Sequence, residues 1–310
     1  MRHQQTPGHR NTVPADQDRV IRGGPRLRPD RCVPRTAATS RPTGQPSTSG
    51  HTVNAENTTR LHAETTGITF PGLVLIHGAM HAADCWDLLT AELAKAAPAL
   101  RVLTVDLPGR RTKPGDLNNA RIADWADSVV ADINAAGFGD VVVAGHSIAG
   151  LTVPKVIAKL GPERVCEIIF IAAVIPTQGW SSLSRVPAPL VPLTRLAASA
   201  GKPIQMPGAV ARLVLCNGMT RAQRRVALSK LHPESSKILI EAVDRSDMPT
   251  TVRRTWIMTG KDRTLSPRRQ HDCIDALGGV DTLLCIDTCH DAMISEPKRL
   301  AAILAERCRL

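Results

Sequence analysis

The sequence predicts an α/β fold: a mainly parallel sheet of about six strands, helices on both faces, and a helical cap. Three observations carry this reading. From about residue 67, short β-rich apolar runs alternate with Ala- and Leu-rich helical stretches. The runs are continuously apolar, as in strands covered on both faces. One stretch, 176–247, breaks the alternation with many prolines, several helical pieces and no clear strand. At roughly seventy residues it is too long for a simple connection, so it is expected to be the cap.

Taken in order, the expected strands are Leu73–Ile76, Arg101–Val105, Val141–Ala144, Glu167–Ala172, Thr255–Met258 and Thr282–Ile286. Helices are expected near Cys85–Ala96, Ile122–Ala136, Leu151–Leu160, Pro267–Leu277 and Pro297–Cys308, with Arg221–Leu231 and Ser236–Val243 inside the cap. In such sheets active sites lie at the carboxyl ends of the strands, so the residues just after each strand matter most.

Composition excludes several classes. No stretch approaches eighteen apolar residues, so no membrane span is expected. No charged and then apolar leader is visible at the N-terminus. Eight Cys in 310 residues are too sparse for a disulfide scaffold, and together these points favour a cytoplasmic location. The net charge of +11 invites a nucleic-acid reading. However, residues 1–66 hold ten Arg, no Lys and five acids, and so carry +5 of that charge. This segment is rich in Arg, Pro, Ser and Thr and lacks any helical or strand period, so it is expected to be a disordered tail. Aromatic platforms for bases are lacking, with 2% aromatics and no Tyr, so no nucleic-acid partner is expected. Nothing in the sequence specifies an oligomeric state.

The chemistry begins at Ala144-Gly145-His146-Ser147-Ile148-Ala149-Gly150. A strand, a sharp turn and a helix would raise Ser147 at the apex, and the close approach of helix and strand demands small neighbours. The usual pattern has glycine where Ala149 stands; Ala is still small, and Gly150 follows. A serine needs a base. His290 lies just beyond the last expected strand, whereas His3, His9, His51 and His62 fall in the tail and His232 and His271 in the cap and a helix. Asp262, on the loop after Thr255–Met258, is the expected orienting acid. Asp287 and Asp291 compete but lie very close to His290 in the chain, and Asp244 and Asp247 lie in or near the cap. Gly78 permits a tight loop after the first strand, so the N–H groups of Ala79 and Ile148 are the expected oxyanion donors. A His77/His81 metal pair has helix-face spacing in an expected loop and no evident third ligand, so no metal and no cofactor are expected. Cys285 and Cys289 read as buried thiols, Arg110 and Arg111 as solvated surface, and Trp86 as packing.

These residues together resemble the α/β-hydrolase superfamily, and within it the compact group of plant methylesterases, hydroxynitrile lyases and bacterial esterase-like proteins. The matching pieces are His77-Gly78-Ala79-Met80-His81 with Trp86, Asp106-Leu107-Pro108-Gly109, Gly145-His146-Ser147, Asp262 followed by Pro267, and His290 with Ala292 to Pro297. The resemblance spans about residues 70–308 and implies a capped six-stranded parallel core. Hydroxynitrile lyases of the group carry Lys directly after the catalytic His, where this chain has Asp291. Epoxide hydrolases and dehalogenases use Asp at the apex, where this chain has Ser147. The expectation is therefore a cofactor-independent serine hydrolase acting on a small or medium carboxylic ester. The alternatives are a thioesterase or lactonase, and a hydrolase-fold binding protein without turnover.

Overall fold

The computed structural model describes residues 70–185, 191–200 and 202–309. The tail reading, 1–66, lies outside them.

Among the described residues six strands form one sheet: β1 (Gly72–Ile76), β2 (Val102–Val105), β3 (Val141–His146), β4 (Val165–Ile171), β5 (Arg253–Thr259) and β6 (Thr282–Ile286). Their order is β2-β1-β3-β4-β5-β6, and every neighbouring pair is parallel. The central strands β1 and β3 are wholly buried, which explains their uninterrupted apolar runs, whereas the edge strands β2 and β6 are partly open.

Successive side chains of a strand point to opposite faces, and the core divides accordingly. Val74, Ile76, Val143, Phe170 and Trp256 face helices α2 (Ile122–Ala135) and α3 (Ala149–Leu160). Leu73, Leu75, Val142, Ile169 and Ile257 face α1 (Asp87–Ala96). Between β4 and β5 the described residues form four short α-helices, α4 (Val191–Ser199), α5 (Gly208–Val214), α6 (Arg221–Ser229) and α7 (Ser236–Ile240). Helix α6 opens on a reciprocal capping box between Thr220 and Gln223. It and α7 each stop before the expected ends. Helix α8 (Pro267–Leu277) packs on β5 and shares a core with α2 and α3, and α10 (Pro297–Arg307) packs with α1. A short α9 (Ala292–Ser295) precedes α10. No helix among the described residues is long and apolar enough to cross a membrane.

The strand order reverses direction about β1, which has β2 on one side and β3 on the other. Ile76 pairs with Gly145 at the carboxyl ends. The loops after β1 and β3 therefore open side by side, at the kind of switch point where α/β sheets bind ligands.

Two burial readings need correction. Arg110 is buried, while Arg111 is exposed and pairs with Asp84. Cys289 is a buried free thiol, and Cys285 is half-buried.

Candidate active site

Ser147 stands between β3 and α3 with φ +52°, in the left-handed region. Such a conformation costs a non-glycine residue about 1–3 kcal/mol and persists only where its surroundings hold it. Here the Ser147 N–H donates to the Ile171 carbonyl (3.0 Å). Its own carbonyl accepts from Gly150 (3.0 Å) and Val174 (2.8 Å). The small neighbours are sterically required. A Cβ at Gly145 would lie 2.5 Å from Val153 Cγ2, and one at Gly150 would lie 2.5 Å from the Val174 carbonyl oxygen. Ala149 is buried at the first turn of α3.

His290 follows β6 and reaches back across the strand ends. Its Nδ1 lies 2.6 Å from Asp262 Oδ2, and its Nε2 lies 2.9 Å from Ser147 Oγ. A carboxylate can only accept, so Nδ1 carries the proton and the Nε2 lone pair faces the Ser147 hydroxyl. Burial works against an imidazolium here, but the charge and hydrogen bond of Asp262, with the charge of Asp291, outweigh it. The His290 pKa is held above the ordinary value. For Asp262 the same pair works in reverse. Burial disfavours its charge, His290 and several donors favour it, and its pKa is lowered.

The turn after β5 is built around Asp262. Its Oδ1 accepts the N–H groups of Thr264 (2.7 Å) and Leu265 (2.8 Å), and its Oδ2 accepts the Thr259 hydroxyl (2.8 Å). Beneath it lies Gln270 of α8, fully buried. Its amide donates to the Thr259 and Leu265 carbonyls and accepts the Thr259 N–H.

Ala79 lies in the loop after β1. The preceding Gly78 touches the apex so closely that a Cβ there would meet His146 Nδ1 at 2.7 Å and Ser147 Cβ at 2.9 Å. Ile148 is the N-cap residue of α3, beside Ser147. Neither the Ala79 nor the Ile148 N–H donates a loop or turn hydrogen bond among the described residues.

The competing groups go elsewhere. Asp287 is paired with Lys261 (2.7 Å) at the surface, and Asp244 and Asp247 approach Lys155. Asp291 faces His81. His77 donates from Nδ1 to the Gly78 carbonyl and accepts the Leu107 N–H at Nε2, so both nitrogens are occupied. Burial and the nearby Arg110 push its pKa down to about 3. His146, His290 and Asp291 bring ligand-type atoms within 4.8 Å of one another. Yet Asp262 and Ser147 take both His290 nitrogens, and His146 Nε2 donates to the His290 carbonyl (3.1 Å). These atoms thus form a hydrogen-bonded network rather than a ready ligand set. Burial pushes the His146 pKa to about 3, so that ring is neutral.

The chain matches the model of the alpha/beta hydrolase family over residues 73–303. It belongs to that family. Among characterised relatives, a pyrethroid hydrolase of Sphingobium wenxiniae is 32% identical over 36% of this chain and 39% of its own length. That match spans less than half of the relative. Methylesterase 7 of Arabidopsis thaliana is 24% identical over 75% of this chain and 94% of its own length. An extracellular alpha/beta-hydrolase from a Paenibacillus species superposes with a TM-score of 0.69 at 24% identity, covering 77% of this chain and all of that one. The six-stranded parallel sheet with helices on both faces is the fold of this family.

Sequence reasoning missed Arg110, Glu234, Gln270 and the His81–Asp291 pair as members of this neighbourhood. His81 and Asp291 each left a signal, His81 in the motif after the first expected strand and Asp291 next to His290 in the chain, but nothing in the sequence paired them.

Proposed function

We propose that this alpha/beta hydrolase is a serine esterase that cleaves a small or medium carboxylic ester through an acyl-enzyme on Ser147. The observation that carries the reading is the hydrogen-bonded line from Ser147 Oγ through His290 to Asp262, 2.9 and 2.6 Å. Relatives named as a methylesterase and a pyrethroid hydrolase support an ester substrate.

In this mechanism Ser147 Oγ attacks the ester carbonyl while His290 Nε2 takes its proton. Asp262 keeps the ring in the productive tautomer and stabilises the imidazolium. The N–H groups of Ala79 and Ile148 hold the tetrahedral oxyanion, and the helix N-terminus behind Ile148 adds its dipole. His290 then gives the proton to the departing alcohol, and water activated by the same ring releases the acid. The four-helix segment between β4 and β5 acts as the cap that shapes the pocket. The reading requires no metal or cofactor and takes the partner to be the ester alone.

A series of p-nitrophenyl esters of increasing acyl length tests this proposal. The parent protein is expected to hydrolyse short and medium members, and Ser147→Ala to lose this activity. Full activity in Ser147→Ala would overturn it.

A further inference from the structure

Arg110 and Glu234 form an ion pair, Nη2 to Oε2 at 2.7 Å, in which neither side chain has solvent exposure. A buried ion pair is weak evidence of stabilisation, because desolvation offsets most of the attraction and apolar residues of similar volume often do as well. This pair is distinguished by what else it holds.

Glu234 Oε2 also accepts the main-chain N–H of Met80 (3.0 Å), and Oε1 accepts the Ser235 N–H (2.7 Å). Arg110 Nε donates to the His81 carbonyl (2.8 Å), and its guanidinium lies over the Trp125 ring, 5.5 Å from the centroid. The Met80 carbonyl accepts the N–H of His232 (2.8 Å). Both main-chain polar groups of Met80 thus end on residues 232–234. That segment is itself tied down by reciprocal main-chain hydrogen bonds between Glu234 and Ile204.

Met80 has φ +58°, a left-handed conformation that an unbranched side chain rarely adopts without external restraint. The peptide joining it to Ala79 is held at both ends. The Ala79 carbonyl accepts from His81 Nδ1 (2.8 Å), and the Met80 N–H is held by Glu234. The plane of that peptide fixes how the chain leaves Ala79, and hence where the Ala79 N–H points.

We propose that Glu234, braced by Arg110, is a positioning residue. It locks the Ala79–Met80 peptide so that the Ala79 N–H stays aimed at the developing oxyanion. Catalytic power then depends on the docking of residues 232–235 against the loop after β1. The proposal rests on the oxyanion role given to Ala79 above.

The test compares Glu234→Ala, Glu234→Gln and the double variant Arg110→Met/Glu234→Met. Melting temperature, kcat and KM on p-nitrophenyl butyrate, and amide hydrogen exchange of the segment containing Met80 are measured for each. In Glu234→Ala, kcat is expected to fall about tenfold or more, part of what losing an oxyanion donor costs. KM should stay within about twofold, and exchange at Met80 should rise. Glu234→Gln keeps an oxygen that accepts the Met80 N–H and should recover most of kcat. The double variant has no buried charge left unpaired and also no acceptor. It should melt near the parent and still show the kcat loss, and it carries the test if Glu234→Ala does not fold. A well-folded double variant with parental kcat would overturn the proposal, as would faster Met80 exchange in Glu234→Ala without loss of kcat. Unchanged Met80 exchange would overturn the anchor even in a protein inactive toward esters, so this failure is told apart from failure of the esterase reading.

Discussion

Asp291 follows His290 directly in the chain, yet its carboxylate turns toward His81, with Oδ2 3.4 Å from Nε2 and both side chains out of solvent. Burial disfavours both charges. Each partner nevertheless favours the other's, so the His81 pKa is raised and that of Asp291 lowered. The Asp291 charge also helps to hold the His290 pKa up.

The first prediction concerns the pH profile. In the proposed mechanism His290 must be neutral to accept the Ser147 proton, so kcat/KM should fall as pH drops through its pKa. That limb should lie above the ordinary histidine value. Asp291→Asn removes a buried negative charge that favours the imidazolium. The limb should then move to lower pH, while activity on the alkaline plateau is largely kept. A limb that stays in place or moves upward would contradict this.

The second concerns Asp262. Asp262→Asn keeps the shape but lets an amide face His290 Nδ1, which favours the wrong tautomer. In serine triads such a change lowers kcat by about 10⁴. Steady-state kinetics should show a loss of that order with little change in KM. A loss of tenfold or less would remove Asp262 from the proposed role.

The third separates the two small residues after Ser147. Gly150→Ala places a Cβ against the Val174 carbonyl oxygen, which is backbone and itself follows the turn. Overpacking of this kind costs about 1–3 kcal/mol, and the distorted turn should lower kcat as well. Ala149→Gly restores the usual pattern and should cost at most about 1 kcal/mol through helix propensity. Thermal melts and kinetics of both variants check the contrast.

The fourth is a stability control away from the site. Glu167 is fully buried in β4 and accepts from Arg307 Nε (2.9 Å) and Nη2 (2.6 Å) and from the Thr255 hydroxyl. Arg307→Ala leaves that carboxylate without its cation, a change that costs about 3–5 kcal/mol in buried pairs. Denaturant melts should show a loss of this order, while the folded variant keeps its pH profile.

What the sequence revealed and what it hid follow the same physics. Strand β3 was legible because Val141 to Ala144 are buried on both faces, so no polar residue interrupts the run. Ser147 was legible because its conformation needs Gly145 and Gly150 beside it, and these constraints are local. Helix α3 starts at Ala149, two residues before the expected start, because the apex turn leads straight into it. The short α9 is only four residues long, too brief for a helical period to show. Arg110 read as solvated because it sits in a run of Arg, Arg, Thr and Lys; Arg111 behaves as that run suggests, and Arg110 does not. Glu234 carried no readable signal, since its partners Arg110 and Met80 lie 124 and 154 residues away. Pairings of that range are set by the order of strands and the path of the helices between β4 and β5, and no spacing rule encodes them.

The central claim is that Ser147 is the nucleophile. Treatment of the protein with a fluorophosphonate probe, followed by intact-mass measurement and peptide mapping, tests it most directly. One adduct per chain is expected, located on the peptide that contains Ser147, absent in Ser147→Ala and strongly slowed in His290→Ala. Continued ester hydrolysis with no adduct, or an adduct on another residue, would contradict it.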